Sequence, residues 1–248
     1  MRLSAVSAAL ILAIAGSAFA QEYEEFTSKD DRFGVTFPTQ PKVEPIMWKS
    51  QFGSMLPARV YTSDSGNSHF KVTVVDYNNI EAIAAERAKS CPEGAETCKG
   101  GGSSTGVGYW KADLAGAEKY ATWQFMQRNA KITYMAWNNI DLVEGTMLYM
   151  TNNADGSRTS AAIYMHENKL YILEGTVPKG YPEPGLFQQS MGFVDANGNG
   201  LRYQNVIYSN AYHGMGVYPK PGAGGGFPGA GPGAQGAPPA NPNQGAGR

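Results

Sequence analysis

The chain is poor in cysteine, histidine and charged residues. Its 248 residues include two Cys and three His, and Asp, Glu, Lys and Arg together make up 17%. With 20 basic and 21 acidic residues and no basic stripe, the sequence lacks the electrostatic footprint of a nucleic-acid-binding protein. The same balance argues against attachment to anionic lipid through a polybasic patch. We therefore expect neither nucleic acid nor a charged lipid surface as a partner.

Long apolar runs are scarce as well. The run at residues 5–15 is too short for a hydrocarbon core, which needs roughly 20 apolar residues. It follows Arg2 and precedes Ala18-Phe19-Ala20, the layout of a secretory signal peptide that is cleaved between Ala20 and Gln21. A buried helix or a membrane anchor is the alternative. The sequence thus predicts an export signal at residues 1–20, no membrane span in the mature protein, and a periplasmic or secreted location.

The two cysteines, Cys91 and Cys98, flank a short segment that contains Pro92 and Gly94 and can fold back on itself. In an exported protein an isolated pair is typical of a disulfide. A redox-active pair is usually Cys-x-x-Cys, and zinc needs further ligands. The sequence therefore predicts a structural disulfide between Cys91 and Cys98.

Alternating apolar and polar residues predict a largely antiparallel sheet. The predicted strands are 32–38, 58–62, 69–77, 132–137, 146–151, 159–165, 170–177 and 201–203, with turns at 63–67 and at Asp155-Gly156. A two-residue turn at Glu167-Asn168 places Met165 opposite Leu170, and Ile163 opposite Ile172, on one face.

Two helices are predicted between these strands. The first begins with a cap at Asn78 and Glu81 three residues later, presents a face that includes Ile80 and Ala84, and ends before Pro92. The second is short, covers 185–191, and buries Leu186 and Phe187.

The stretch 110–128 fits two patterns. Trp110, Leu114, Ala117, Ala121 and Phe125 lie at helical spacing, whereas 121–126 also alternates as a strand would. The apparent turn at 128–130 favours a strand from about Tyr120. The glycine-rich 100–106 lacks the Gly-Lys-Ser/Thr ending of a phosphate-binding loop and is interpreted as a connector.

The composition divides the chain into four parts. After the signal, residues 21–206 are predicted to form one globular α+β domain, followed by a transition at 207–218. The last thirty residues, 219–248, contain ten Gly and seven Pro and no Asp or Glu. Such a segment cannot bury enough apolar surface to offset its ordering entropy, so it is predicted to be a disordered tail.

No constellation of catalytic or metal-binding residues emerges. The three histidines, His69, His166 and His213, share no motif with a nucleophile, and Ser190 lacks the glycine two positions earlier that a nucleophile elbow requires. No catalytic residue, cofactor-binding residue, metal ligand or cofactor is therefore assigned. A pair of carboxylates that meets only in the fold stays possible as an alternative.

Two metal hypotheses are weaker than their structural alternatives. Asp195-Ala196-Asn197-Gly198 resembles the start of a calcium loop, but Val206 stands where a bidentate Glu is needed, so a turn is favoured. Met147 and Met150 suggest Cu(I), yet residues three apart in a strand point to opposite faces. Handling of metal through Met and His is kept as a further alternative.

Tyrosines are frequent near the end of the predicted domain. Exposed Tyr203, Tyr208, Tyr212 and Tyr218 would suit a protein or sugar surface, although packing in strands is the favoured interpretation.

Several segments resemble a group of uncharacterised exported proteins from alphaproteobacteria. These segments are 32–38, 156–159, 166–172 and 180–190, and the resemblance covers most of residues 30–205. More distantly, the Phe-x-Val-x-Phe-Pro opening and the Phe-x-x-Ser-x-x-Phe ending at Phe187, Ser190 and Phe193 are similar to the Mog1/PsbP-like fold. That resemblance implies an antiparallel sheet flanked by helices and a non-enzymatic accessory or binding role, and it transfers no site residue.

The sequence therefore predicts an α+β protein, mostly antiparallel sheet with flanking helices. A non-catalytic binding or assembly module of the bacterial cell envelope, with an envelope protein or glycan as partner, is the favoured function. An envelope hydrolase that uses a carboxylate pair is the first alternative, so an enzyme is less favoured than a binding protein.

Overall fold

The structure is a computed structural model that describes residues 23–95, 110–204 and 206–210. Several predicted features lie outside these residues and stay predictions. They are the signal at 1–20 with its cleavage site at Ala20 and Gln21, Cys98 of the disulfide, the connector at 100–106, His213, and the tail at 219–248.

The described chain forms two antiparallel sheets and three helices. The strands are β1 (Glu24–Ser28), β2 (Phe33–Phe37), β3 (Lys42–Lys49), β4 (Met55–Ser65), β5 (Ser68–Asp76), β6 (Ala130–Ile140), β7 (Val143–Asn152), β8 (Arg158–His166), β9 (Lys169–Val177), β10 (Gly192–Val194) and β11 (Gly200–Leu201). The helices are α1 (Ile80–Lys89), α2 (Trp110–Met126) and α3 (Gly185–Gln189). The small sheet has the order β1-β2-β10-β11, and the large sheet has the order β3-β4-β5-β9-β8-β7-β6.

The large sheet is the middle layer, and each of its faces is covered by a separate apolar core. On one face, residues such as Val72 and Tyr171 pack against Phe33, Phe37 and Phe193 of the small sheet. On the other face, alternate residues of the same strands meet α1 and α2, as the period-two alternation of a strand requires. The predicted α+β class, antiparallel sheet with flanking helices, is thus confirmed.

The hairpin between β8 and β9 has the predicted register. Met165 lies opposite Leu170, and Ile163 lies opposite Ile172. Glu167 and Asn168 form the turn with φ values of 46° and 57°, and two consecutive positive values are what a tight hairpin turn of the I′ type needs. The local turn chemistry and the alternation of the strands agree, which is why this element was predictable.

The preferred strand from Tyr120 is wrong. Residues 110–126 form helix α2, and its buried side contains Leu114, Ala117, Ala121 and Phe125, four members of the helical stripe. The seven-stranded sheet has an apolar face that only a helix layer covers here. Tertiary packing therefore selected the longer of the two periodic patterns.

Smaller corrections concern the predicted helix and turn boundaries. Helix α1 begins after Asn79, whose side chain makes no capping hydrogen bond, while the amide of Asn78 bonds Asp76 instead. The turn predicted at 63–67 is shorter, because β4 and β5 pair up to Ser65 and Ser68. Phe187 of α3 is buried as predicted, but Leu186 is exposed, because a helix of five residues presents only one side to the core.

Candidate binding surface around strand β6

Strand β6 forms one edge of the large sheet. Within the described ranges it pairs only with β7, in a long antiparallel ladder that shifts register between Ile132 and Tyr134. An edge strand leaves one row of backbone N–H and C=O groups available to a partner, unlike a central strand. Most side chains of β6 are exposed or half-buried. Ile132 and Ile140, near its two ends, pack against the two cores, whereas the middle of the strand is more exposed.

The helix-facing side of β6 presents two large apolar side chains. Met135 is 52% exposed and Trp137 is 58% exposed. Trp137 lies opposite Thr146 of β7, and the Thr146 hydroxyl donates a 2.6 Å hydrogen bond to Oε1 of Glu118 on α2. The exposed indole thus borders the junction between the sheet and α2.

A small pocket at this junction contains two carboxylates. It has a cavity volume of about 80 Å³, and its lining comprises Leu114, Ala115, Glu118, Lys119, Glu144, Met165 and Asn210. Glu144 and Thr146 are two positions apart on one face of β7, which separates their side chains by about 7 Å. Because Thr146 bonds Glu118, the carboxylates of Glu118 and Glu144 share this pocket. Glu118 also accepts a 3.0 Å bond from the Lys119 ammonium group.

The opposite side of β6 presents a tyrosine pair. Tyr134 lies opposite Tyr149, and their rings stack with centroids 5.3 Å apart and planes inclined by 27°. Tyr134 is 49% exposed. Burial, with a smaller contribution from Glu183 and Tyr134, raises the pKa of the Tyr149 phenol. We call Tyr134 and Tyr149 the tyrosine platform.

A polar hollow adjoins the tyrosine platform. Its lining comprises Thr133, Tyr149, Met150, Thr151, Arg158, Thr159, Ser160, Glu183 and Pro184. The buried Oγ of Ser160 and Nε of Arg158 have no hydrogen-bond partner among the described residues. Other nitrogens of the Arg158 guanidinium group donate to the Tyr181 carbonyl and to Glu183. The hollow therefore has hydrogen-bonding capacity that the described chain leaves unused.

A glycine of strand β9 positions one wall of the hollow. A Cβ atom at Gly175 would lie 2.8 Å from Cγ of Pro184, so the absence of a side chain lets Pro184 approach the sheet. Pro184 precedes α3, and Glu183 precedes Pro184. The close approach at Gly175 thus fixes where Glu183 enters the hollow.

The two described histidines do not meet. His69 pairs with Thr176 near one end of β9, while His166 pairs with Lys169 at the other end. His69 is exposed and lies 2.7 Å from Asp64, whereas His166 is fully buried. Within the ranges that the structure covers, no group of three or more His, Cys, Asp or Glu side chains is placed to hold a metal ion.

Ser190 has a structural role. Its Oγ accepts a 2.8 Å hydrogen bond from the Thr36 amide and donates to the carbonyl of Phe187. It thereby joins the end of α3 to β2, and no described histidine contacts it. This agrees with the absence of a nucleophile elbow from the sequence.

The resemblance to a calcium loop at Asp195 reflects a turn, as predicted. Oδ1 of Asp195 accepts hydrogen bonds from the amides of Asn197 and Asn199 at 2.8 and 2.9 Å, which closes the turn before β11. A 3.0 Å hydrogen bond from the Asn199 side-chain amide to Oδ2 and, after it, the bonds from these backbone amides lower the pKa of Asp195. The Asp195 carboxylate therefore accepts hydrogen bonds from the backbone of its own loop.

The methionines of β7 diverge as predicted. Met150 is buried in the core against α2, while Met147, three positions earlier, lies on the opposite side of the strand and is half-buried. The tyrosines that the structure describes are packed rather than exposed, but they do not lie in named strands, because β11 ends at Leu201 and not at Tyr203. Tyr203 and Tyr208 are buried in the core between the sheets, and Tyr212 and Tyr218 lie outside the described residues.

The carboxylate pair and the surface around β6 were not identified from the sequence. Residues 132–137 alternate as a half-buried strand does, so Tyr134 and Trp137 had no distinguishing local signal. Glu118 lies in the stretch for which a strand was preferred from Tyr120. The helical stripe was the one signal that could have placed Glu118 beside the sheet.

Comparisons with known proteins give similarities to solved structures and no family. No family model matches the chain, and no curated protein matches it. Among solved structures, the chain is similar to the solution structure of cyanobacterial PsbP (CyanoP) from Synechocystis sp. PCC 6803, with 9% sequence identity and a TM-score of 0.39. The match covers 72% of this chain and 96% of that chain. None of the described helices combines the length and apolar character needed to span a membrane.

Proposed function

We propose that this chain is a non-catalytic binding or assembly module of the bacterial cell envelope, and that strand β6 is its recognition element. The observation that carries the proposal is the exposure of Trp137, Met135 and Tyr134 on one edge strand. Large aromatic side chains are enriched where proteins bind partners, because they bury much area at little entropic cost.

The edge position adds a second means of recognition. An extended segment of a partner could extend the large sheet by pairing with the outer backbone groups of β6. Its side chains would then lie alternately beside Trp137 on one face and the tyrosine platform on the other. Backbone pairing would supply affinity, and these flanking side chains would supply selectivity.

The envelope location is part of the proposal. It is supported by the export signal predicted at residues 1–20 and by the resemblance of 32–38, 166–172 and 180–190 to exported alphaproteobacterial proteins. The predicted disulfide between Cys91 and Cys98 would be stable in that oxidising compartment.

A hydrolase that uses Glu118 and Glu144 is the second candidate, because the structure brings both carboxylates to one pocket. The cavity of about 80 Å³ is small beside the 300–1,000 Å³ typical of ligand sites. Glu118 is also engaged by Thr146 and Lys119. Both facts favour binding over catalysis.

Affinity capture from envelope extract tests the binding function. Immobilised full-length protein should retain a defined envelope protein or glycan, and Trp137→Ala with Met135→Ala should reduce the amount retained by about tenfold. Ile46→Ala and Met47→Ala on β3, the opposite edge strand, form the matched control, because these residues are similarly exposed.

The outcomes separate the two candidates. Equal capture by the wild type and the β6 variant would contradict the proposal. Release of soluble products from envelope polymers or peptides, abolished by Glu118→Gln and by Glu144→Gln, would instead establish the hydrolase.

A further inference from the structure

We infer that the tyrosine platform and the polar hollow beside it form a subsite for one sugar ring of a neutral, pyranose-based glycan. This inference rests on the proposed binding function and assigns a ligand class to one face of β6. The juxtaposition that supports it is a solvent-exposed stacked tyrosine pair next to a hollow with unused hydrogen-bonding groups.

The aromatic half of the subsite suits the apolar face of a pyranose. A pyranose ring has C–H groups on its faces and hydroxyls around its rim, so it combines an apolar body with a polar edge. Tyrosine has the same division, with an apolar ring and a polar tip. Stacking on Tyr149 holds the Tyr134 ring in place without covering it fully, which lowers the entropic cost of placing a sugar against it.

The polar half suits the hydroxyls. Ser160 lines the hollow and is 3% exposed, and its Oγ has no hydrogen-bond partner among the described residues. Buried hydroxyls are normally hydrogen-bonded, so an unpaired one that lines a hollow points to a missing polar partner. Thr151 and Glu183 line the same hollow and add an alcohol and a carboxylate.

The charge balance favours a neutral ligand. Nη1 of Arg158 lies 3.3 Å from Oε1 of Glu183, so the one cation and the one anion of the hollow face each other. Neither a phosphate nor a carboxylate ligand would find an unopposed cation there. The Tyr149 phenol is protonated at neutral pH, because its ordinary pKa is near 10 and burial raises that pKa further, so it can donate a hydrogen bond to a sugar oxygen.

The surroundings limit how much of a glycan is bound. The hollow has a cavity volume of about 30 Å³, so it admits a single hydroxyl group of one ring and leaves the rest of the glycan outside. Its position beside an edge strand allows a chain to continue in both directions past Tyr134. We therefore expect weak binding to monosaccharides and stronger binding to oligomers.

Isothermal titration of the full-length protein with neutral hexasaccharides tests the inference. The probes are chitohexaose, cellohexaose, maltohexaose and laminarihexaose, each compared with its monosaccharide. At least one hexasaccharide should bind, and Tyr134→Ala should weaken that binding by about tenfold. Tyr134→Phe should retain most of it, because the aromatic face is preserved.

Trp123→Ala is the matched control for this test. It removes a similarly exposed aromatic side chain from helix α2, which covers the other face of the large sheet, so glycan affinity should stay within about twofold of the wild type. Thr151→Val tests the polar half, and a loss of affinity with unchanged thermal stability supports its contact with the sugar.

Failure of the inference is distinguishable from failure of the proposed function. If none of the four hexasaccharides binds, or if Tyr134→Ala binds as the wild type does, the sugar subsite is wrong. Capture of an envelope protein that depends on Trp137 would still support the binding module. A partner peptide that binds through Tyr134 and is not displaced by any hexasaccharide would also overturn the sugar subsite.

Discussion

The Nε2 atom of His166 lies 2.8 Å from the hydroxyl oxygen of Tyr203, inside an aromatic enclosure at the end of strand β8. The imidazole also contacts the rings of Phe193 and Tyr208, with centroids 4.4 and 4.9 Å away. Burial lowers the pKa of His166 to about 3, so the ring is neutral in the folded protein at neutral pH. This histidine holds the final described segment against the large sheet.

The first prediction concerns pH. The unfolded chain binds a proton at His166 below its ordinary pKa of about 6.5, whereas the folded protein does so only near 3. The unfolded state therefore gains protons first, and the free energy of unfolding falls as pH decreases through this window. We expect a loss of about 3 kcal/mol from this group between pH 7 and pH 4.5, measured by urea denaturation.

One variant isolates the contribution of that histidine. His166→Phe should flatten the dependence of the free energy of unfolding on pH between 7 and 4.5. A wild-type stability that stays constant over this range would contradict the assignment. The pKa of Asp31 is lowered because hydrogen bonds from Arg59 and Tyr61 outweigh its burial, so its contribution is lost only at lower pH.

The second prediction concerns Gly145 on β7. A Cβ atom there would overlap the carbonyl oxygen of Ile163 and the ring of Tyr164, both in the neighbouring strand β8. Gly145→Ala should reduce the free energy of unfolding by about 3 kcal/mol, as overpacking does in a rigid core. Gly185→Ala, where a Cβ would meet nothing within 4 Å, is the matched control and should be close to neutral. Thermal and urea unfolding of both variants would show whether this contact limits the sheet.

The third prediction concerns a buried ion pair. Oδ2 and Oδ1 of Asp31 accept hydrogen bonds from Nε and Nη2 of Arg59 at 2.6 and 2.5 Å, and the Tyr61 hydroxyl also donates to Oδ2. Lys169 lies 3.6 Å from the same carboxylate. Asp31→Asn removes the charge that these donors share and should cost about 2 kcal/mol in urea denaturation at pH 7.

An exposed pair provides the comparison for Asp31. Glu86 lies 2.6 Å from Lys89 on the surface of α1. Glu86→Gln should leave the denaturation midpoint unchanged, because exposed pairs contribute little. Equal effects of the two substitutions would show that the Asp31 network does not stabilise the fold as inferred.

The fourth prediction concerns Cys91 and Cys98. Alkylation of native protein that has been purified without a reductant, followed by mass spectrometry, should detect no modified thiol at either position. Cys91→Ser with Cys98→Ser should lower the free energy of unfolding by about 2.5 kcal/mol, the entropy of closing so short a loop. Labelling of both thiols without a reductant would refute the disulfide.

The fold was predictable from the sequence where an element's signal lies within a few neighbouring residues. The hairpin at Glu167-Asn168 combined a tight turn with two alternating strands, so its register was correct. Strand β3 was missed because most of its side chains are exposed, which leaves no apolar alternation to detect. The stretch from Trp110 fits both a helix and a strand, and only the apolar face of a sheet built from distant strands decided between them.

The candidate site was less predictable than the fold. The alternation around Tyr134 and Trp137 does not say whether a strand lies at the edge or in the centre of a sheet, because that depends on which strands pair with it. The unpaired hydroxyl of Ser160 depends in turn on β6, β7, β8 and the segment at Glu183 coming together. Sequence patterns describe one element at a time, whereas this surface is a property of four.

The contacts of Tyr208 and Asn210, at the end of the described chain, have a practical consequence. Val143 pairs with Tyr208, the Tyr208 hydroxyl accepts a 3.0 Å bond from the amide of Glu167, and Asn210 bonds Asn168. Residues 206–210 are therefore anchored at the start of β7 and at the turn between β8 and β9. A C-terminal truncation made for a binding assay should end no earlier than Asn210, because a shorter chain would lose these contacts.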